Sequence, residues 1–316
     1  MSGSLEGLRS WVRGSGDAPA LRSRAGVTLL AGGKGGVGTS TLAALLGARI
    51  AHRGSRTLLV ELAPGGLHLL LGIGGEVAGL SELATPGVSA ESLVRPVAER
   101  LDLLPAGPPA VDGLGTAHLS LLLRKVVELF ANYDRVVVDA GSRADLVIPA
   151  GLAGAAELWV VTQQDRVAAA GAYALLKVAS HRLPGLPVRL LVNRATPGEA
   201  RSVAGSVADA AATFLGLEVG PELAVPVDGS LPGHTLAGHS LAERASSPVA
   251  RTLADAVLPL PDVLGRGTPG EAAGSRPEGS PYRDPDASSG LVGTGGLRPV
   301  STTPRPALRI HHKALS

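Results

Sequence analysis

Cysteine is absent from the 316 residues, which excludes a disulfide framework, a thiolate zinc site, a cysteine nucleophile and a cysteine-held iron–sulfur cluster. Aromatics are scarce, at 2 Trp, 3 Tyr and 2 Phe, so the core must be packed from Leu, Val and Ala. With 45% hydrophobic and 18% charged residues the apolar material is still ample, and neither global disorder nor a coiled-coil rod fits. No run approaches the roughly 20 apolar residues that cross a bilayer, and Met1–Gly26 has no continuous apolar stretch of the signal-peptide kind. The expectation is a cytoplasmic globular protein. Lysine is the remaining scarcity: Lys34, Lys125, Lys177 and Lys313 stand against 25 arginines.

The formal net charge of +2 conceals a division along the chain. Residues 1–24 carry +2 and residues 263–316 carry +3, which leaves −3 for residues 25–262. An acidic body is a poor start for sequence-specific DNA binding, so contact with nucleic acid or with the inner face of a membrane is to be sought in the basic ends.

From Val27 to about Pro261, short apolar runs alternate with longer segments of helical period, the pattern of βα units on a mostly parallel sheet. The runs predict strands at Val27–Ala31, Thr57–Leu62, Leu101–Leu104, Arg135–Asp139, Leu158–Thr162, Val188–Val192 and Leu223–Val225. Most are apolar on both faces and need helices above and below, so the fold class is α/β, a doubly wound layer structure. Helices fit Ser40–Ala51, Ala117–Asn132, Ala168–His181, Pro197–Leu215 and Leu241–Leu258. Residues 263–316 hold 9 Gly, 7 Pro and 6 Ser with no sustained apolar period, and read as a disordered tail. Three parts are thus expected: a basic arm at 1–24, a nucleotide-binding domain at 25–262 and the tail at 263–316.

The most specific feature follows the first strand: Gly32-Gly33-Lys34-Gly35-Gly36-Val37-Gly38-Thr39-Ser40-Thr41. Glycines there permit backbone that a Cβ would block, so successive N–H groups can turn around phosphates at the start of a helix. Gly33 to Ser40 satisfies the phosphate-loop template G-x-x-x-x-G-K-[ST] at every position but one. Thr39 stands where the lysine belongs, and a hydroxyl can donate a hydrogen bond but cannot neutralise phosphate charge. Ser40 falls at the magnesium position. The candidate nucleotide contacts are therefore Gly33, Lys34, Gly35, Gly36, Val37, Gly38, Thr39, Ser40 and Thr41. The eight histidines show no metal spacing, and no nucleophile elbow marks a serine hydrolase.

At these residues the sequence resembles the MinD/ParA family of P-loop ATPases. Lys34-Gly35-Gly36-Val37-Gly38 followed by Ser40-Thr41 is similar to that family's deviant Walker A motif, whose early lysine reaches across a dimer to the partner's nucleotide; Lys34 matches that lysine and Thr39 departs from the second. Leu58-Leu59-Val60-Glu61-Leu62-Ala63-Pro64 resembles switch I, which normally reads D-x-D, and Val136-Val137-Val138-Asp139 resembles the Walker B strand. Val192-Asn193-Arg194-Ala195, Phe214-Leu215-Gly216 and Val225-Pro226-Val227-Asp228 are similar to the FlhG branch, which regulates flagellar number and placement. The resemblance implies ATP and Mg2+ as ligands, base contacts from Asn193, Arg194, Pro226 and Asp228, and a magnesium environment of Ser40, Asp139 and Glu61. It also implies an ATP-linked homodimer that works with a protein of the flagellar, pilus or division machinery.

Three positions depart from that pattern. Ala63 replaces the acid that orients the attacking water, Thr39 replaces the lysine, and Arg143 in Asp139-Ala140-Gly141-Ser142-Arg143 replaces a switch II glycine. Losing a positioned base costs about 10²- to 10⁴-fold in rate, and losing a cation on the transferring phosphoryl about 10³-fold by analogy with arginine fingers. The two losses are not additive, yet either alone leaves a slow ATPase with negligible turnover. The leading expectation is an ATP-binding spatial regulator with impaired hydrolysis. The alternative of another class is a scaffold of the CpaE-like pilus, flagellar or septum-site kind that binds no nucleotide.

Overall fold

The computed structural model describes residues 25–62, 66–107, 116–236 and 238–257. All of them belong to one unit, Met1–Leu264; the arm at 1–24, the tail at 263–316 and Ala63 lie outside the described residues.

Gly-Val-Thr-Leu-Leu-Ala-Gly forms β1 (Gly26–Gly32), and all seven residues are buried. Because side chains alternate across a strand, Val27, Leu29 and Ala31 enter one core with Leu58, Val60, Val136 and Val138. Leu30 enters a second core with Leu59, Val137 and Trp159. One sheet therefore separates two apolar layers, the condition that continuous apolar strands require. The remaining strands are β2 (Thr57–Glu61), β3 (Arg95–Ala98), β4 (Leu101–Leu104), β5 (Arg135–Asp139), β6 (Glu157–Thr162), β7 (Val188–Asn193) and β8 (Gly220–Val225). Their order is β3-β4-β2-β5-β1-β6-β7-β8. Every pairing is parallel except β3 with β4. β1 lies inside the sheet between β5 and β6, so its outgoing loop opens at the carboxyl end of the strands, where doubly wound folds place ligands.

The helices are α1 (Thr39–His52), α2 (Leu67–Leu70), α3 (Ala90–Leu93), α4 (Thr116–Val127), α5 (Ala144–Leu152), α6 (Arg166–Arg182), α7 (Pro197–Leu215), α8 (Ser230–Leu236) and α9 (Pro248–Asp255). α1 is buried at ten of its fourteen residues, which is why its sequence is apolar all round rather than striped. It packs on the sheet on one side, and a 3-10 turn at Leu241–Arg244 together with α9 covers it on the other. Gly47 allows that approach, since a Cβ there would lie 2.7 Å from a methyl of Leu59.

The expected α/β architecture is the observed one, with local corrections, beginning with the short helices α2, α3 and α8, which were not expected. The single helix expected over Leu241–Leu258 is two elements, because Ser247 caps Pro248 as the first residue of a new helix. The segment expected as one helix to Asn132 tightens to 3-10 geometry over Glu128–Asn132. β3 was not expected: its four residues include Pro96 and are only partly buried, as suits an edge strand. α5 was not expected either, since Pro149 interrupts its pattern and the helix accommodates it.

Candidate functional site

The loop after β1 is shaped by its glycines. Gly36 (φ 81°) and Gly38 (φ 98°) hold left-handed backbone, and a Cβ at Gly36 would meet nothing within 4 Å, so the loop is open at its crown. Gly33 answers a different demand. A Cβ there would fall 2.0 Å from the carbonyl carbon of Gly171, and one on Gly171 would fall 2.3 Å from the Gly33 oxygen. Loop and α6 thus touch backbone to backbone through a pair of glycines.

Three residues between β6 and α6 tie the site together. Gln163 Nε2 donates to the Val37 carbonyl at 3.4 Å. Gln164 Nε2 donates to the Arg194 carbonyl at 2.9 Å. Asp165 caps α6 by accepting from the Ala168 N–H at 3.0 Å, and the same oxygen accepts from Lys34 Nζ at 3.2 Å. The Ala168 N–H and then the Lys34 ammonium hold the Asp165 carboxyl below the usual carboxylate range. Lys34, the lysine expected to reach across a dimer, is here turned to a carboxylate of its own chain.

Thr39 is buried, and a Cβ on Gly32 would fall 2.5 Å from its hydroxyl. Its side chain therefore lies under the loop. Ser40 follows at the start of α1, and its hydroxyl stands close enough to Asp139, the last residue of β5, to favour the charged carboxylate. Asp139 also accepts from the Gly141 N–H at 2.9 Å. Burial pushes its carboxyl up to about 6, against the opposing pull of the Ser40 and Gly141 hydrogen bonds, and the neighbouring Glu61 charge raises it further. Glu61 ends β2 beside Asp139. Its Oε1 accepts from the Leu67 N–H at 2.8 Å, and its Oε2 lies 3.4 Å from both the Ala106 N–H nitrogen and His68 Nδ1. The carboxylate thus fastens the start of α2 and the segment after β4 to the sheet end.

Switch II folds onto the loop. The Gly32 N–H donates to the Gly141 carbonyl at 2.7 Å and the Ala140 N–H to the Leu30 carbonyl at 2.9 Å. Ser142 Oγ lies 4.0 Å from where a Gly35 Cβ would be. Arg143 starts α5 and grips Asp145 with Nε at 2.9 Å and Nη2 at 2.8 Å.

The four residues assigned to base contact part company. Asn193, at the end of β7, is buried and its Nδ2 donates to the Val37 carbonyl at 2.8 Å, so it braces the phosphate loop. Arg194 is exposed with a left-handed backbone (φ 58°). Pro226 and Asp228 follow β8, the outer strand. Asp228 accepts from the Ser230 N–H at 3.0 Å and orders the entry to α8; the Ser230 hydroxyl holds its carboxyl low although burial works against it. Sequence reasoning missed Gln163, Asp165, Gly171 and Asp145. Only Asp165 carried a legible signal, as a capping residue directly before a helical run.

These residues fit a nucleoside polyphosphate with magnesium. An open glycine crown, a hydroxyl at the helix start and a buried carboxylate beside that hydroxyl make the donor set that anionic phosphate and a hard cation require. Among the described residues no cluster of three His, Asp or Glu side chains could hold a metal ion by protein ligands alone.

Residues 26–200 match the family described as cellulose biosynthesis protein BcsQ. The chain belongs to that family. A curated relative of this BcsQ-family chain, the chromosome-partitioning ATPase Soj of Thermus thermophilus, is 35% identical over 172 residues, which are 54% of this chain and 68% of Soj. Among solved structures, the MinC:MinD cell division protein complex of Aquifex aeolicus is 21% identical with a TM-score of 0.58, over 73% of this chain and 93% of that one. A ParA-family ATPase of Chlorobium tepidum is 22% identical with a TM-score of 0.58, over 74% and 98%. The septum site-determining protein MinD of Pyrococcus horikoshii, solved with Mg-ADP, is 20% identical with a TM-score of 0.57, over 73% and 95%. The BcsQ-family chain therefore has the MinD/ParA P-loop ATPase fold.

Proposed function

We propose that this chain is an ATP-binding spatial regulator that positions a cell-surface or division-site assembly, with nucleotide-linked dimerisation as its switch and with impaired hydrolysis. The observation that carries the reading is the approach of the Ser40 hydroxyl to the buried Asp139 carboxyl beneath an open glycine loop. In it, Gly33–Thr41 would hold the phosphates, Ser40 and Asp139 would face the magnesium ion with Glu61 behind them, and the loops after β7 and β8 would face the base. Bound magnesium supplies charge neutralisation of the terminal phosphates. Lys34 must leave Asp165 before it can serve a partner's nucleotide. Both partners are substantially exposed, so that exchange costs little.

The impaired turnover rests on Thr39 and Ala63. A hydroxyl under the loop leaves the phosphates without the usual cation, and a methyl side chain leaves the attacking water without an acceptor. The cargo is read from two directions: the FlhG-like segments around Phe214 and Asp228 favour flagellar placement, and the matched family and relative carry names from cellulose biosynthesis and chromosome partitioning. We place the protein in the cytoplasm, peripheral at the inner face of the membrane when its basic ends engage. Among the described residues no helix is long and apolar enough to cross a membrane.

Titration of the purified protein with ATP and MgCl2, paired with a phosphate-release assay, tests the reading. Saturable binding, weakened by Lys34→Ala, with turnover far below that of an intact relative is expected. Absence of any nucleotide binding would leave the scaffold that works only through its surfaces.

A further inference from the structure

The phosphate loop presents an electrostatic deficit. Its lysine position is Thr39, and the two buried carboxylates at the strand ends, Glu61 and Asp139, are acidic. The cations of the loop and switch II, Lys34 and Arg143, are each held by a carboxylate, Asp165 and Asp145. A triphosphate bringing about four negative charges and one magnesium ion therefore meets no uncommitted cation from these two segments.

Both pairs are exposed enough to open; with Lys34 assigned to a partner's nucleotide, the pair at switch II is the one left to serve the chain's own. Switch II is fastened to the end of β1, from which the phosphate loop leaves, by the Gly32–Gly141 and Leu30–Ala140 backbone bonds, which keeps the Arg143 backbone at the same end of the sheet as that loop. Ser142, its immediate neighbour, already approaches Gly35. The Arg143 guanidinium is 37% exposed and the Asp145 carboxylate 53%, and an ion pair that exposed contributes little to stability. Asp145 also has other support. It lies in the first turn of α5, where the helix dipole favours a negative charge after the arginine leaves. The guanidinium gains a doubly charged phosphate in exchange, two of whose oxygens its fork can take at once.

We propose that Arg143 is the cation that replaces the missing phosphate-loop lysine: on nucleotide binding it exchanges Asp145 for the terminal phosphate, and so makes the site selective for a nucleoside triphosphate over a diphosphate. The inference rests on the nucleotide-binding reading above. The residue that breaks the switch II pattern and the residue that breaks the loop pattern then compensate one another.

Equilibrium titrations of the full chain with ATP and with ADP, each with MgCl2, test it in the wild type and in Arg143→Ala, Arg143→Lys and Asp145→Asn. Arg143→Ala should weaken ATP binding about 10- to 100-fold, the range of a charged hydrogen bond, and leave ADP binding nearly unchanged. Arg143→Lys should fall between. Asp145→Asn, which weakens the carboxylate's competing hold on the guanidinium, should strengthen ATP binding by up to about fivefold; a merely structural pair would not give that gain. Circular dichroism checks that each variant is folded. If the wild type binds ATP and Arg143→Ala binds it equally well, or if ATP and ADP weaken together, the inference is overturned and the nucleotide-binding reading stands. If the folded wild type binds neither nucleotide, both fall.

Discussion

Asp139 shows how one side chain links burial to chemistry. Its carboxyl is buried and pushed up to about 6 from an ordinary value of 3.8, chiefly by desolvation. At this group the folded state therefore binds more protons than the unfolded chain between about pH 4 and pH 6, so the stability that Asp139 contributes is fully present below that window and is lost as pH rises through it. Asp139→Asn keeps the shape, removes the buried charge and should raise the melting temperature at pH 7 while flattening the pH dependence between 4 and 6. Thermal denaturation of the nucleotide-free protein across that range checks it; a melting temperature that falls in the variant at pH 7 would contradict it. Asn193 makes the opposite case. Its buried amide has a partner in the Val37 carbonyl, and Asn193→Ala leaves that carbonyl only the longer bond from Gln163, so a loss of about 0.5–1.5 kcal/mol in denaturant unfolding is expected. The residue-scale site was legible in part. Thr39, Ser40 and Asp139 announce themselves by position in a template, whereas the brace from Asn193 joins residues 156 apart in sequence, and such a contact leaves no local pattern to read.

Among the elements, the strands were the most legible, because a strand buried on both faces is an apolar run with few alternatives. β3 and α5 were not. One is a proline-bearing edge and the other a proline-bearing helix, and in both the chain's tertiary surroundings outweigh local preference. The contact of α6 with the phosphate loop was invisible for another reason: Gly171 in a helical pattern reads only as a mild weakness, while its use is to let Gly33 come within backbone contact. Gly171→Ala puts a methyl group into the Gly33 carbonyl and must push α6 away from the loop. A destabilisation of about 1–3 kcal/mol, the usual range of overpacking, is expected, with ATP affinity falling alongside it. Gly205, where an added Cβ meets nothing within 4 Å, is the control; Gly205→Ala in the middle of α7 should stabilise by about 0.5–1 kcal/mol. Equal effects at the two positions would sink the argument from close approach.

For the whole molecule, the parallel sheet gathers the ends of β1, β2, β5, β6 and β7 into one rim, and the loops leaving them brace one another through Val37, Gly141 and Arg194. In the proposed function this rim binds ATP while its chemistry is crippled at two positions that can be repaired. Thr39→Lys with Ala63→Asp restores the cation and the acceptor together, and should raise turnover by about 10²-fold or more. The most direct test of the central claim is the equilibrium binding of ATP with MgCl2 to the unmodified chain, measured by isothermal calorimetry beside Ser40→Ala. The account predicts one saturable site per chain in the wild type, with affinity lost or strongly reduced in the variant. A flat titration of folded wild-type protein, or binding that Ser40→Ala leaves untouched, would contradict it.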